Sequence, residues 1–288
     1  MSQAPYYIGI DLGGTQLRMA AVTAQGQLAT EMLAVPTGKG FTPTDLSHAL
    51  QQLSARSAEL TGNHPIAGWG VGAAGVVWDG QLSQSDNVPL LSGIDLAGLL
   101  HTAARGLPVK LENDARCFVL AEARFGAGRG ARNVCGITLG TGCGGGVIVE
   151  GKLVRGVSGA AGEAWGIPLR EHFLEYYVSG YGLLRTYLEQ GGQVSDSLTG
   201  AEIADRARHG EAAALATWRA YGDDVYLLCE TLIALLEPEV IVIGGSMAQA
   251  HDLFGEKFQH KLAQRPTRIA LAELGAAAGV IGAAALHL

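Results

Sequence analysis

The chain has 288 residues, a net charge of −7, 48% hydrophobic residues and 42 glycines. That length accommodates two domains, or one large one, with substantial cores. The acidic balance and the scattered arginines argue against nucleic acid as a partner, since a phosphate backbone calls for clustered Lys and Arg. Cys117, Cys135, Cys143 and Cys229 form no CxxC pair, which points to a reducing cytoplasm rather than a disulfide framework. The uncharged runs 134–149 and 274–288 are too short and too rich in Gly and Ala to span a membrane, and the first residues carry no signal pattern. A soluble cytoplasmic protein is expected.

Residues 6–11 form an apolar run ending in Gly13-Gly14. Strands are expected over 15–23 and 27–35, turned at Gly26. Thr42-Pro43 caps a helix whose Leu46, Ala49, Leu50, Leu53 and Leu60 fall at helical spacing, and Gly62 stops it. A strand over 66–77 turns at Asp79-Gly80, a short helix covers 95–104, and 109–111 returns as a strand ahead of a helix over 115–125. The second half repeats the opening: a strand over 134–139, a glycine turn, and a strand over 146–150. Helices follow over 174–189, 201–208 and 212–236. A buried strand over 240–243 leads through Gly244-Gly245-Ser246 into a helix, and a strand over 269–272 precedes a terminal helix over 276–286. Two copies of a strand–glycine turn–strand unit suggest two α/β lobes. The expected split is 1–114 and 115–274, with the terminal helix 275–288 packing back on the first lobe.

Asp11-Leu12-Gly13-Gly14-Thr15 lies at a strand end, where glycines let backbone N–H groups approach a phosphate and Asp11 can serve Mg²⁺; an ordinary hairpin turn fits equally well. Residues 140–146 hold five glycines in seven positions. Such density is unfavourable unless backbone must approach something closely, and a phosphate is the expected neighbour. Neither stretch matches a P-loop or a dinucleotide fingerprint. Asn113-Asp114 follows a strand, so Asp114 is either a base toward a hydroxyl nucleophile or the N-cap of the next helix. Glu163 and Glu175 can accept hydrogen bonds from vicinal hydroxyls or be solvated charges. Asn87 is a turn residue or a hydroxyl ligand, and Gly244-Gly245 lies against a flat base or makes a close helix–strand contact. His101, His172, His209, His251 and His260 lie apart, with no structural zinc pattern.

In order, these residues resemble the ROK family of bacterial sugar kinases, within the actin-like ATPase superfamily. The likeness rests on Gly9-Ile10-Asp11-Leu12-Gly13-Gly14-Thr15, Glu112-Asn113-Asp114, the run from Leu139 to Gly146, Ser158-Gly159-Ala160-Ala161-Gly162-Glu163, and Leu174-Glu175. The resemblance implies an α/β fold of two actin-like (ribonuclease H-like) lobes with a central cleft that closes on the sugar, often as a homodimer. It implies ATP- and Mg²⁺-dependent phosphorylation of a hexose or hexose derivative at its 6-hydroxyl, glucose first. Asp114 would be the base, with Asn87, Asn113, Glu163 and Glu175 on sugar hydroxyls. Gly13, Gly14, Thr15, Thr141 and Gly142 would hold ATP phosphates, Asp11 would serve Mg²⁺, and Gly244-Gly245 would lie near adenosine. Where the family reads GExGH and then a cysteine-rich zinc loop, this chain has Gly162-Glu163-Ala164-Trp165-Gly166 and runs directly to Leu174-Glu175, so no structural zinc is expected. Two alternatives are a sugar-sensing regulator, which wants a DNA-binding segment ahead of Tyr6, and a non-catalytic actin-like ATPase.

Overall fold

Tyr6–Leu12 (β1) and Gln16–Val22 (β2), each holding a run of consecutive buried residues, pair as an antiparallel hairpin that starts the first sheet. The computed structural model describes residues 3–62, 64–195, 198–256, 258, 262 and 264–288, so His260 lies outside the described residues. Leu33–Pro36 (β3) pairs with β2, Ile66–Ala73 (β4) runs parallel to β1, and Val109–Asn113 (β7) runs parallel to β4. The sheet order is β3-β2-β1-β4-β7. Between β4 and β7, Val76–Trp78 (β5) and Gln81–Gln84 (β6) form a separate hairpin. Helix α1 (Pro43–Thr61) opens with a capping box, Thr42 and Asp45 bonding each other's backbone N–H, and buries Leu46, Ala49, Leu50 and Leu53. Helix α2 (Leu96–Ala103) follows the hairpin, and helix α3 (Asp114–Phe125) follows β7.

The second sheet repeats the order and directions of the first. Val134–Leu139 (β8) and Cys143–Val149 (β9) form the hairpin, and Lys152–Leu153 (β10) extends it. Val240–Gly244 (β13) and Arg268–Leu271 (β14) continue it in parallel, giving β10-β9-β8-β13-β14. A small hairpin, Pro168–Leu169 (β11) with His172–Phe173 (β12), stands apart from it. Helices α4 (Glu175–Val178), α5 (Gly180–Glu189), α6 (Gly200–Arg208) and α7 (Ala212–Leu236) pack around a core that includes Tyr187, Trp218, Tyr221 and Phe254. Among the described residues no helix is long and apolar enough to cross a membrane.

Two compact units emerge, each with its own core. The first comprises Met1–Gly130, Arg155–Ala161 and Glu273–Leu288; the second comprises Ala131–Val154 and Gly162–Ala272. Within the first, the terminal helix (Ala278–Ala285) lies so close to β1, β4 and α3 that a Cβ on Gly9, Gly70 or Gly282 would collide with the carbonyl of Val280, Ala283 or Cys117 respectively.

Several expectations change at element level. The strand anticipated over 66–77 ends at Ala73, because Gly75 at φ +132° turns the chain out of the sheet. The strand anticipated over 27–35 shortens to β3, leaving a single bridge from Leu28 to Val22. The strand anticipated over 146–150 starts earlier, at Cys143, so Gly144 and Gly145 lie in β9 with Gly146 rather than in the turn. Their smallness has a local reason: a Cβ on Gly145 would sit 2.6 Å from the Gly162 carbonyl oxygen, and one on Gly162 would sit 3.1 Å from the Gly146 Cα.

Candidate active site

In the first unit, the chemistry-bearing residues collect at the carboxyl ends of parallel strands, where open α/β sheets present their ligand sites. Asp11 pairs with Gly72 across β1 and β4, and Ala73 pairs with Asn113 across β4 and β7. The turn after β1 is held by Gly13 N–H donating to the Gln16 carbonyl at 3.0 Å and by the Thr37 hydroxyl donating to the Gly13 carbonyl at 2.7 Å. Thr15 is exposed on that turn. A Cβ on Gly14 would lie 2.8 Å from the Cβ of Asn87, so the structure brings Asn87 against the glycine turn.

The start of α3 separates the two roles open to Asp114. Asn113 is the N-cap: its side-chain oxygen accepts from Arg116 N–H at 3.0 Å, while its amide donates to the Gly75 carbonyl at 3.0 Å and to Asp114 Oδ1 at 3.1 Å. Asp114 is the first helical residue, and its Oδ1 also accepts from Ala115 N–H at 2.8 Å. Oδ2 makes no hydrogen bond among the described residues. The Asn113 side chain is thus engaged on both its oxygen and its nitrogen, whereas Asp114 keeps one oxygen open.

Burial raises the pKa of Asp114, against the lowering effect of those hydrogen bonds. Asp11 is pushed up to about 6, first by burial and then by the charge of Asp114, with Arg18 opposing. Arg18 stands 3.8 Å from Asp11 and directly across the β1–β2 hairpin from it. Sequence reading missed this cross-strand pair, although hairpin register would have found it.

In the second unit, the turn from Gly140 to Gly142 is bracketed by the segment around α4. Gly180 N–H donates to the Gly140 carbonyl at 2.7 Å, and Glu175 Oε2 accepts from Cys143 N–H at 2.9 Å. A Cβ on Gly142 would lie 2.5 Å from that carboxylate oxygen. The Cys143 thiol is pushed up to about 12 by burial, with further contributions from the charges of Glu175 and Glu163. Both glutamates therefore lie within electrostatic reach of the start of β9. Thr141 is exposed at the turn. Gly244 pairs with Thr138, and Gly245, at φ +88°, lies so close to the Leu139 backbone that a Cβ would collide with it.

Glu175 owes its place to the β11–β12 hairpin, where Leu174 N–H donates to the Ile167 carbonyl at 2.8 Å. Arg170 turns this hairpin at φ +54°, pairs with Asp224 on α7 and lies over the Tyr177 ring at 4.6 Å. Gly166 has nothing within 4 Å of a Cβ position. Among the described residues, no group of three or more His, Cys, Asp or Glu side chains is placed to hold a metal ion. Mg²⁺ commonly takes one or two carboxylates together with phosphate oxygens and water, and Asp11 fits that limited donor requirement.

Residues 7–288 match the ROK family. The chain is 31% identical over 307 residues to N-acetylgalactosamine kinase AgaK of Shewanella sp. (strain ANA-3), covering 97% of this chain and 96% of that protein. It is 32% identical over 313 residues to glucokinase of Streptomyces coelicolor, again covering 97% and 96%. Among solved structures, it resembles a ROK family glucokinase from Streptomyces griseus in complex with glucose and AMPPNP, with a TM-score of 0.81, 29% identity and 98% coverage of both chains.

Proposed function

Because the chain belongs to the ROK family, we propose that it is an ATP-dependent sugar kinase acting on the 6-hydroxyl of a hexose or hexose derivative, glucose being the first candidate. The observation that carries this reading is the division of labour at the start of α3. Asn113 takes over the helix cap, so the neighbouring carboxylate is left with an unbonded oxygen beside Asp11. A cap alone would need no second carboxylate there.

In this reading Asp114 accepts the proton of the attacking hydroxyl as its oxygen bonds to the γ-phosphorus and the bond to the β-phosphate oxygen breaks. Asn87, Asn113, Glu163 and Glu175 orient the sugar through its hydroxyls. Glu175 has a second task, since its bond to Cys143 N–H fixes the glycine turn from the other side. The turn residues Gly14 and Thr15, and Thr141 with Gly142, offer backbone N–H groups to phosphate oxygens, while Gly13, whose N–H is bonded to the Gln16 carbonyl, shapes the first turn around them. Gly244 and Gly245 let the end of β13 lie flat against adenosine. Asp11 would hold Mg²⁺ directly or through water, and the ion when bound offsets charge on the phosphates.

A coupled ADP-release assay over a panel of hexoses and aminosugars tests the reading. Sugar-dependent ADP release with at least one of them is the expected result. ATP turnover that ignores every sugar would replace the kinase with a non-catalytic ATPase.

A further inference from the structure

The segment Arg155–Ala161 belongs to the first unit although the residues on either side of it belong to the second. It contains no strand or helix. What fastens it is a buried ion pair. Arg116 is fully buried, and its Nη1 meets Glu112 Oε1 at 2.8 Å. Its Nε donates to the Ala161 carbonyl at 3.3 Å, and its Nη2 donates to the Gly159 carbonyl. The other oxygen of Glu112 accepts from Arg155 Nε at 2.6 Å. Ala161 N–H closes the loop onto the Arg155 carbonyl at 3.2 Å. Both ends of the strap therefore converge on one Glu–Arg pair.

The pair occupies an informative place in the chain. Glu112 immediately precedes Asn113-Asp114, and Arg116 lies two residues beyond Asp114 on the first turn of α3. Burying two charges is an inefficient way to gain stability, because desolvation opposes the attraction. A guanidinium does give what an apolar side chain cannot, namely several donors at fixed angles for a carboxylate and two carbonyls.

We propose that Glu112 and Arg116 are positioning residues that hold the Arg155–Ala161 strap against the start of α3 and, with Asn113 N–H donating to Glu112 Oε1 at 2.9 Å, fix Asn113 for the sugar beside Asp114. The inference rests on the kinase reading for its sugar-binding consequence, while the fastening of the strap stands apart from it.

Arg116→Lys and Arg155→Gln test the proposal. Lysine keeps the charge but loses the fork. Arg155 is 56% exposed, so its replacement leaves the buried pair and the fold in place. The readouts are KM for sugar, KM for ATP, and amide hydrogen exchange over residues 155–161. Arg116→Lys should raise the sugar KM about tenfold, and Arg155→Gln about threefold, with the ATP KM within about twofold and faster exchange in the strap. Parallel rises in both KM values, or an unchanged sugar KM in a folded variant, would mean a merely structural pair. If Arg116→Lys does not fold, Arg155→Gln decides alone. Unaltered exchange in a variant of a sugar-active protein overturns the positioning role by itself. A wild-type protein without any sugar turnover overturns the kinase reading and, with it, the link to the sugar.

Discussion

The Asn113 side chain determines what Asp114 is free to do. An Asp in the first turn of a helix ordinarily earns its place as a cap or a dipole partner. Here the preceding Asn makes the cap bond. We therefore expect Asp114→Asn to lower kcat by about 10²–10⁴-fold while leaving sugar affinity nearly unchanged, since the amide keeps size and some hydrogen bonding but accepts no proton. Near-wild-type turnover in this variant would remove Asp114 from catalysis. Asp11 gives a second prediction. Its folded pKa of about 6 lies above the ordinary 3.8, so the charged form is disfavoured in the native state. A raised carboxylate pKa opposes stability above the folded value, and that opposition disappears as pH falls from about 6 toward 3.8. In the absence of ligands, Asp11→Asn should raise Tm at pH 8 and lose that advantage near pH 4; an equal shift at both pH values would contradict the assignment. Activity should show the converse dependence, declining as pH falls and the buried Asp114 protonates. The places of Asp11 and Asp114 were legible in the sequence, because Asp11 closes the apolar run 6–11 and Asp114 stands between a strand and a helix. The Arg116 clamp was not, because an arginine on a helix says nothing about the distant carbonyls it reaches.

At the scale of elements, glycine density proved to have two causes. Gly140 and Gly142 belong to a turn, whereas Gly144 to Gly146 lie in a strand over which the backbone at Gly162 passes. Sequence alone does not separate these, since close approach by a ligand and by the chain itself demand the same residue. The terminal helix shows the second cause again. Gly282→Ala should gain up to about 1 kcal/mol in helix propensity. Its Cβ would nevertheless meet the Cys117 carbonyl, a backbone group that no rotamer change can move, and overpacking typically costs about 1–3 kcal/mol. The clash should win, and a thermal melt with an unchanged or higher Tm would refute it. The β11–β12 hairpin supplies a third case. Arg170, joined to Asp224 and lying over Tyr177, fastens a segment that reaches Glu175 without cysteine ligands. We expect purified protein to hold no stoichiometric zinc and to keep its Tm in chelator; elemental analysis finding one tightly held zinc per chain would overturn this.

At the scale of the whole molecule, the duplicated sheet order was legible because the same strand–glycine turn–strand pattern occurs twice and hairpins are local. The return of residues 155–161 to the first unit was not, since a strap without periodicity carries no pattern to read. The discontinuity has a testable consequence. Residues 1–130 contain all five strands of the first sheet, yet they lack the terminal helix. That helix buries Val280, Ile281 and Ala283 to Ala285 against β1, β4 and α3. Full burial of a Val or Ile side chain is worth about 1.5–3 kcal/mol, and removing the helix also exposes the apolar faces beneath it. Domains are typically stable by only about 5–15 kcal/mol, so losses at Val280, Ile281 and the three alanines, added to the newly exposed sheet, consume most of that margin. A fragment of residues 1–130 should therefore show no cooperative thermal transition by circular dichroism. The same fragment mixed with a peptide of residues 273–288 should recover part of one, because the glycines that admit the helix remain in place at positions 9 and 70. Cooperative melting of the fragment alone would show that β1, β4 and α3 are stable without their cover.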